Sequence, residues 1–264
     1  MKIVLIGSGN VATVLGRKLI HSGHQVGQVF SKQASHAQRL AKELNSLHTA
    51  IWEEIDLQAD LYIVAISDDV LHDLSRHLKL DKKLVVHTAG SVSKEVLSEV
   101  SRNFGVLYPL QSLRKELIPI PPIPLLIDAN TIENLTLLHD FAQSISSSVA
   151  QADDLMRIKL HLAAVIANNF ANHLLALTED FCLHENLDFR MLLPLIRETV
   201  ERVEELSPQL KQTGPAVRND VQTIRKHLDM LKSYPLLESL YYQMTLSIAS
   251  FAGNNADAFA NSGN

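Results

Sequence analysis

The chain has 264 residues, a formal net charge of −5 and 46% hydrophobic residues. This composition predicts a soluble globular protein of one large or two ordinary domains, and the lack of a long basic run argues against nucleic acid as the main ligand. We expect no membrane span, because Asn168 and Asn169 follow the apolar run Leu160 to Ile166, and we expect no signal peptide. Cys182 is the only cysteine, which predicts a cytoplasmic protein without internal disulfides.

The chain opens with a predicted strand, a glycine turn and a helix. Ile3 to Ile6 is a short apolar run typical of a buried parallel strand, and helical spacing begins after the turn. Glycines in such a turn permit a tight bend and a close approach to a pyrophosphate, which the free N–H groups of the helix would bind. The predicted dinucleotide-binding residues here are Gly7, Ser8, Gly9, Asn10 and Val11. The alternative is a plain strand–turn–helix.

The next elements alternate between apolar strands and helices. Repeated β–α units with apolar strands predict an α/β fold, an N-terminal Rossmann doubly wound parallel sheet, over residues 1–151. The predicted strands after the first are 25–30, 61–66, 84–86, 105–108, 125–127 and 148–151. The predicted helices between them include 35–44 and 131–144.

The end of the second strand indicates which nucleotide binds. In dinucleotide folds an acidic residue at this point holds the ribose 2′-hydroxyl of NAD. Here Ser31, Lys32 and Ser35 occupy it, and the first acidic residue is Glu43. Two hydroxyls and a cation suit a 2′-phosphate, so the sequence predicts NADP as the cofactor. The alternative is an ordinary solvated strand end.

Three loops follow neighbouring predicted strands. Ligands of open α/β sheets bind beyond the carboxyl ends of the strands. We therefore expect Ser67 and Asp68 beside the pyrophosphate and the nicotinamide ribose, and Tyr108 at the border of a substrate site. The residues expected to contact the nicotinamide are His87, Thr88, Ala89 and Gly90. The alternative is that an aspartate caps a helix and Gly90 only turns the chain.

The second half is predicted to be helical. A long helix from Asp153 to about His184 would measure about 45 Å at about 1.5 Å per residue, a length that suits a domain link or a subunit interface. The other predicted helices are 189–206, 215–231 and 236–251. Residues 152–252 form the predicted helical substrate and dimerisation domain, and residues 253–264 a predicted disordered tail.

Polar side chains interrupt the apolar surface of the long helix. Helical spacing places His161, Val165, Asn168 and Asn172 on one stripe, with Asn169 at its edge. His161 could give a proton to a carbonyl or an imine, and the asparagines could orient a substrate. The alternative is structural: satisfied buried amides and a packing histidine.

A second polar segment surrounds Arg218. Thr213 could cap a helix whose first turn holds Pro215, with Arg218 just inside as a carboxylate site. The alternative is a well-capped helix with a surface pair between Arg218 and Asp220. We expect no metal site, because the twelve histidines lack a ligand spacing such as His-Glu-x-x-His.

Longer motifs now allow a comparison with known families. The chain resembles Rossmann-like NADP oxidoreductases whose helical C-terminal domain has no assigned function. The motifs that carry this resemblance are IGSGNVAT (6–13), HTAGS (87–91), GVLYPLQS (105–112), LHLAAVIANNFANHL (160–174), LLPLIRET (192–199) and QTGPAVRND (212–220). It is more distantly similar to pyrroline-5-carboxylate reductases, F420-dependent NADP reductases and β-hydroxyacid dehydrogenases. These relatives imply a helical domain that dimerises and a substrate cleft between the two domains.

The departures from these relatives leave two hypotheses. Ser31-Lys32 stands where the family usually has Ser-Arg, and the Lys-x-x-x-Asn pair of β-hydroxyacid dehydrogenases is absent. The first hypothesis is an NADP-dependent oxidoreductase of a small carbonyl, hydroxy acid or imine. Its proton donor would be His161, with Asn169 or Asn172 orienting the substrate and Arg218, from its own or a partner subunit, holding a carboxylate. The second is a non-catalytic NADP-binding sensor or scaffold.

Overall fold

The computed structural model describes residues 1–205 and 207–254. Eight strands form one sheet. The strands are β1 (Lys2–Ile6), β2 (Gln25–Phe30), β3 (Leu47–Thr49), β4 (Leu61–Val64), β5 (Asp81–His87), β6 (Ser101–Pro109), β7 (Leu125–Ala129) and β8 (Val149–Gln151). The predicted α/β class is confirmed. Residues 255–264, most of the predicted disordered tail, lie outside the described residues.

The strand order is β3-β2-β1-β4-β5-β6-β7-β8. Pairing is parallel from β3 through β6, as predicted, and β7 is antiparallel to β6, an exception that the strand pattern did not predict. A parallel neighbour requires a long crossover, usually a helix, and the proline-rich link between β6 and β7 contains none. The order reverses between β1 and β4, which is where ligands bind in such sheets.

Both faces of the sheet are covered, which explains the unbroken apolar runs of the strands. Along β1, Ile3 and Leu5 belong to the core on one face, and Val4 and Ile6 belong to the core on the other. This alternation follows from the two-residue repeat of a strand. All four side chains are fully buried.

Nine α-helices occur in the described residues. They are α1 (Asn10–His21), α2 (Ala34–Leu44), α3 (Asp68–His72), α4 (Ile132–Ile145), α5 (Asp154–Ala164), α6 (Ala171–His184), α7 (Leu193–Glu205), α8 (Val221–Leu231) and α9 (Pro235–Phe251). A π turn, Val165–Phe170, joins α5 to α6. Contacts divide the chain into two compact units, Met1–Asn169 and a second that begins at Phe170. Leu206, the predicted end of helix 189–206, lies outside the described residues.

The run α5–π turn–α6 is the predicted long helix. It spans 31 residues from Asp154 to His184 and contains an 18-residue window of mean hydropathy 1.3, long and apolar enough to cross a membrane. The expectation that no segment approaches such a span was therefore wrong on length and composition. Two asparagines do not lower the mean hydropathy enough to offset the surrounding Leu, Ile, Val and Ala residues. Such a helix also suits a subunit interface.

The segment around Arg218 differs from its prediction. Helix α8 begins at Val221, not at Pro215, because Asp220 is its N-cap and accepts the Thr223 N–H at 3.1 Å. Gly214 (φ 113°) and Asn219 (φ 56°) are left-handed, so the intervening residues form turns. Arg218 lies in these turns and is exposed, outside any helix N-terminus.

Candidate functional site

A groove of about 590 Å³ opens at the carboxyl ends of β1, β2, β4 and β5. Twelve of the thirteen predicted cofactor-binding residues line it. They are Gly7, Ser8, Gly9, Asn10, Val11, Ser31, Lys32, Ser67, Asp68, Thr88, Ala89 and Gly90. The groove crosses the point where the strand order reverses. Segments that are distant in sequence therefore meet in one place, as expected for loops that follow the carboxyl ends of neighbouring parallel strands.

The glycine turn is built to admit a phosphate. Gly7 has φ 127°, and a Cβ there would lie 2.1 Å from the Ala65 carbonyl oxygen, so only glycine fits. A Cβ on Gly9 would meet nothing within 4 Å, so this position faces open space. Gly9 is the N-cap of helix α1, which has no side-chain cap bond and no acidic residue in its first turn. Its N–H groups are therefore free to bind an anion, and these residues fit the pyrophosphate of a dinucleotide.

The end of β2 forms one end of the groove. The Ser8 hydroxyl donates to the Ser31 hydroxyl at 2.8 Å, and Lys32 is exposed beside it. Trp52 also lines the groove, although no motif predicted it as a site residue, and it packs on Phe30 with ring centroids 3.9 Å apart. Trp52 follows β3 in a short 3-10 turn, and no local pattern indicated that this turn returns to the sheet edge.

His161 lies at the other end of the groove, in contact with Tyr108. The Tyr108 hydroxyl and the His161 Nδ1 are 2.9 Å apart. A Cβ on Gly90 would lie 2.8 Å from His161 Nδ1 and 3.0 Å from Tyr108 Cε2, so this glycine permits the close approach. Burial raises the pKa of the Tyr108 hydroxyl. The pair joins the end of β6 to α5 and sets the orientation of His161.

His87 is the one predicted cofactor-binding residue that does not line the groove. Its side chain is fully buried, and its Nδ1 accepts the Ala89 N–H at 3.2 Å. Burial, and then the nearby Arg157 cation, lower the pKa of His87 to about 4. The imidazole is therefore neutral near pH 7, and its hydrogen bond with Ala89 helps to hold the Thr88–Ser91 loop in place. Thr88, Ala89 and Gly90, the next residues along the chain, reach the groove.

Asp68 does not cap α3. Ser67 is the N-cap of that helix without a side-chain cap bond, and Asp68 instead accepts the Ser91 hydroxyl at 2.8 Å. Both Asp68 and Ser91 line the groove. The helix-capping alternative for Asp68 is therefore wrong, and the bond joins the loops that follow β4 and β5.

A second cavity, of about 350 Å³, adjoins the groove through His161, which lines both. Its other lining residues are Tyr108, Leu110, Gln111, Ser112, Leu113, Ala164, Val165, Asn168 and Asn169. The Asn168 amide donates to the Ser112 hydroxyl at 3.2 Å. Hydrogen-bonding groups and short apolar side chains thus surround a space adequate for a small organic molecule.

The predicted asparagines and Arg218 fall into two groups. Asn168 and Asn169 are in the π turn, and π turns occur frequently at functional sites. Because a π turn has more residues per turn than an α-helix, it changes which side chains share a face, and both Asn168 and Asn169 line the cavity. Asn172 and Arg218 are exposed residues of the second unit. No cluster of metal-ligating side chains occurs in residues 1–205 and 207–254.

Comparison with known families places these features in context. Residues 2–90 match a family model described as NADP oxidoreductase, coenzyme F420-dependent, and residues 123–248 match a domain of unknown function, DUF2520. A protein from Bacteroides fragilis, provisionally described as an NADP oxidoreductase, is 38% identical with a TM-score of 0.88, and the match covers 94% of this chain and 98% of that one. No curated protein matches the chain.

More distant solved structures share the fold. A protein from Thermotoga maritima is 19% identical with a TM-score of 0.78, and the match covers 96% of this chain and 100% of that one. An imine reductase from Myxococcus stipitatus in complex with NADP+ is 14% identical with a TM-score of 0.64, covering 98% and 99%.

The fold and the groove define a Rossmann nucleotide-binding protein with a helical C-terminal region. The chain belongs to the NADP-dependent oxidoreductase family that the Bacteroides fragilis relative represents, with DUF2520 as its C-terminal domain. The resemblance inferred from the motifs is confirmed.

Proposed function

We propose that the groove binds NADP(H) and that a hydride passes between this cofactor and a small carbonyl, hydroxy acid or imine in the adjoining cavity. One observation carries the proposal: the predicted cofactor residues converge on one groove, and His161 stands between that groove and a second cavity. Bound NADPH supplies the hydride. The protein must hold the acceptor and supply a proton.

The groove has a separate binding group for each part of the cofactor. The free N–H groups of α1 bind the pyrophosphate, which Gly9 lets approach. Lys32 and Ser31 bind the 2′-phosphate, Lys32 as a cation and Ser31 through its hydroxyl. The Thr88–Ser91 loop receives the nicotinamide half, because it follows β5 on the far side of the reversal in strand order.

His161 is the proposed proton donor. As hydride reaches the carbonyl or imine carbon, the oxygen or nitrogen gains negative charge and takes a proton from the imidazole. For this transfer the ring carries a proton on each nitrogen: Nδ1–H donates to the Tyr108 oxygen, 2.9 Å away, and the Nε2 proton goes to the substrate, which leaves the imidazole neutral. Asn169 is the proposed substrate-orienting residue in the same cavity.

Asn172 and Arg218 belong to the second unit, and we propose supporting roles for them. Asn172 would help to orient the substrate, and Arg218 would bind a substrate carboxylate with its exposed guanidinium. Arg218→Met should then raise KM for a keto acid while leaving KM for an uncharged ketone unchanged. Equal effects on the two substrates would contradict this role.

We also propose that the chain is a cytoplasmic homodimer joined through its helical half. Large apolar side chains are exposed along the second unit, Met191 at 80% among them, and burying such a surface against a second copy stabilises a dimer. The free, buried Cys182 suits a reducing compartment. Cell fractionation that recovers the native protein from a membrane pellet would contradict the cytoplasmic location.

The test of the reaction is a turnover assay. Purified protein and NADPH are mixed with keto acids, ketones and cyclic imines, and loss of NADPH absorbance is followed. We expect at least one class to be reduced, and His161→Gln to lower kcat about 100-fold or more. His139→Gln is the matched control and should retain the wild-type rate, because His139 lies half-buried on α4 and lines neither the groove nor the cavity. Tight NADPH binding without any turnover would instead indicate a sensor or scaffold.

A further inference from the structure

Arg157 is an unusual residue of helix α5. It is the one side chain that α5 buries, with 1% of its surface exposed, and it is a cation. Its Nε and Nη1 have no hydrogen-bond partner among the described residues. Burying a charge is costly unless it is paired, and an apolar side chain of similar size would often serve stability as well. The position therefore indicates a purpose beyond packing.

The contacts of Arg157 lead to the loop that borders the groove. Its Nη2 donates to the Val92 carbonyl oxygen and forms an ion pair with Asp154 at 2.7 Å. Asp154 in turn accepts the Ser93 hydroxyl and, at 3.3 Å, the Lys94 N–H. The first turn of α5 thus holds three consecutive residues that directly follow the Thr88–Ser91 loop.

The same loop is fixed at its other points. The Ala89 N–H donates to buried His87, and the Ser91 hydroxyl donates to Asp68. The Thr88 N–H donates to the Val64 carbonyl oxygen at 3.1 Å. With Arg157 and Asp154 behind it, the loop is held on both sides, and a site held rigid before binding loses less entropy when its ligand arrives.

We propose that Arg157 and Asp154 are positioning residues that hold the Thr88–Ser91 loop in the shape that receives the nicotinamide half of the cofactor. This inference rests on the NADP(H) binding proposed above. Neither residue lines the groove. The adenine half would lie against Ser31 and Lys32, at the opposite end, so losing Arg157 should affect the two halves of the cofactor unequally.

The experiment compares two ligands by isothermal titration calorimetry. One is NADPH, and the other is adenosine 2′,5′-bisphosphate, a fragment with the 2′-phosphate and no nicotinamide. In Arg157→Met we expect NADPH affinity to fall about 10-fold or more and fragment affinity to change less than about 2-fold. Arg157→Lys should restore part of the loss. Arg102→Met, at the amino end of β6, is the control and should bind both ligands as the wild type does.

The outcomes are distinguishable. Equal losses for the two ligands, or no loss for either, would overturn the positioning role. If Arg157→Met does not fold, the same two titrations are made with Arg157→Lys and Asp154→Asn. Each of these variants should lose less affinity than Arg157→Met, and each should lose more affinity for NADPH than for the fragment. A wild-type protein that binds neither ligand would refute the cofactor proposal itself, a failure visible before any variant is made.

Discussion

Gly7 and Gly9 stand on either side of Ser8, yet one added methyl group should have opposite effects at the two positions. At Gly9 the space is open and φ is −78°, so alanine fits the fold but obstructs a bound pyrophosphate. At Gly7 the methyl group would meet a backbone oxygen at a left-handed φ. We expect Gly9→Ala to keep the wild-type melting temperature and bind NADPH about 10-fold or more weakly.

Gly7→Ala is the companion variant and should lose about 2 kcal/mol or more of stability. Thermal unfolding and calorimetric titration of both variants check the pair. A Gly9→Ala protein that unfolds early, or one that binds NADPH normally, would contradict the account of the turn.

Lys32 should govern the choice between the two nicotinamide cofactors. Reversing its charge places an anion beside the 2′-phosphate, and a charge-assisted hydrogen bond contributes about 1.5–3 kcal/mol. We expect Lys32→Glu to weaken NADPH binding about 10- to 100-fold and to leave NADH binding nearly unchanged. Lys82→Glu, an exposed lysine near the amino end of β5, is the matched control. Unchanged NADPH affinity in Lys32→Glu would refute the 2′-phosphate assignment.

At the residue scale, the sequence predicted most of the groove because the glycine turn and the ends of parallel strands have fixed geometry. His87 was the exception, since the chain position of a strand end does not reveal which side chain faces inward. Trp52 and Arg157 were not identified as site residues. Their roles depend on contacts with segments far away in the sequence, Phe30 and Val92, and such contacts have no local signature.

At the scale of the element, β5 contributes a pH dependence of stability. His87 ends this strand with a pKa lowered to about 4 by burial and by Arg157, an effect that Asp154 and Asp68 partly oppose. In the unfolded chain the histidine has an ordinary pKa near 6.5. Between about pH 6.5 and 4, therefore, His87 is protonated in the unfolded chain but neutral in the folded one. Stability contributed by this group is therefore complete above about pH 6.5 and is lost as the pH falls toward 4.

The corresponding variant is His87→Asn, which keeps a hydrogen-bond acceptor for Ala89 and does not titrate. Between pH 6.5 and 4 the free energy of unfolding of the wild type should fall by up to about 3 kcal/mol because of His87. The variant lacks this contribution, so its free energy of unfolding should fall correspondingly less. Urea unfolding at several pH values measures the difference. Parallel stability profiles for the two proteins would contradict a buried, neutral His87.

Element boundaries were predicted where local chemistry dominates and missed where it does not. Apolar runs located β1, β2 and β4, and the long helix followed from its spacing. The start of α8 was misplaced, because Pro215 and Thr213 are good starting residues but Asp220 caps the helix instead. The antiparallel β7 and the π turn depend on tertiary packing, which a periodic pattern does not encode.

At the scale of the whole molecule, the exposed apolar side chains of the helical half predict self-association. Met191→Asp would place a charge in the proposed dimer interface, so we expect the variant to become monomeric in light scattering while keeping its helical circular dichroism. Ile132→Asp is the matched control, because Ile132 on α4 is also 80% exposed but lies in the sheet unit. A monomeric wild type, or one that partitions into lipid vesicles, would contradict the dimer.

The most direct test of the account is a titration of the wild-type protein with NADPH and with NADH, followed by tryptophan fluorescence. Trp52 is the only tryptophan in the chain and lines the groove, so the signal reports on this site alone. We expect saturable quenching by NADPH, and binding of NADH that is at least about 10-fold weaker. The absence of saturable binding by either cofactor at millimolar concentration would contradict it.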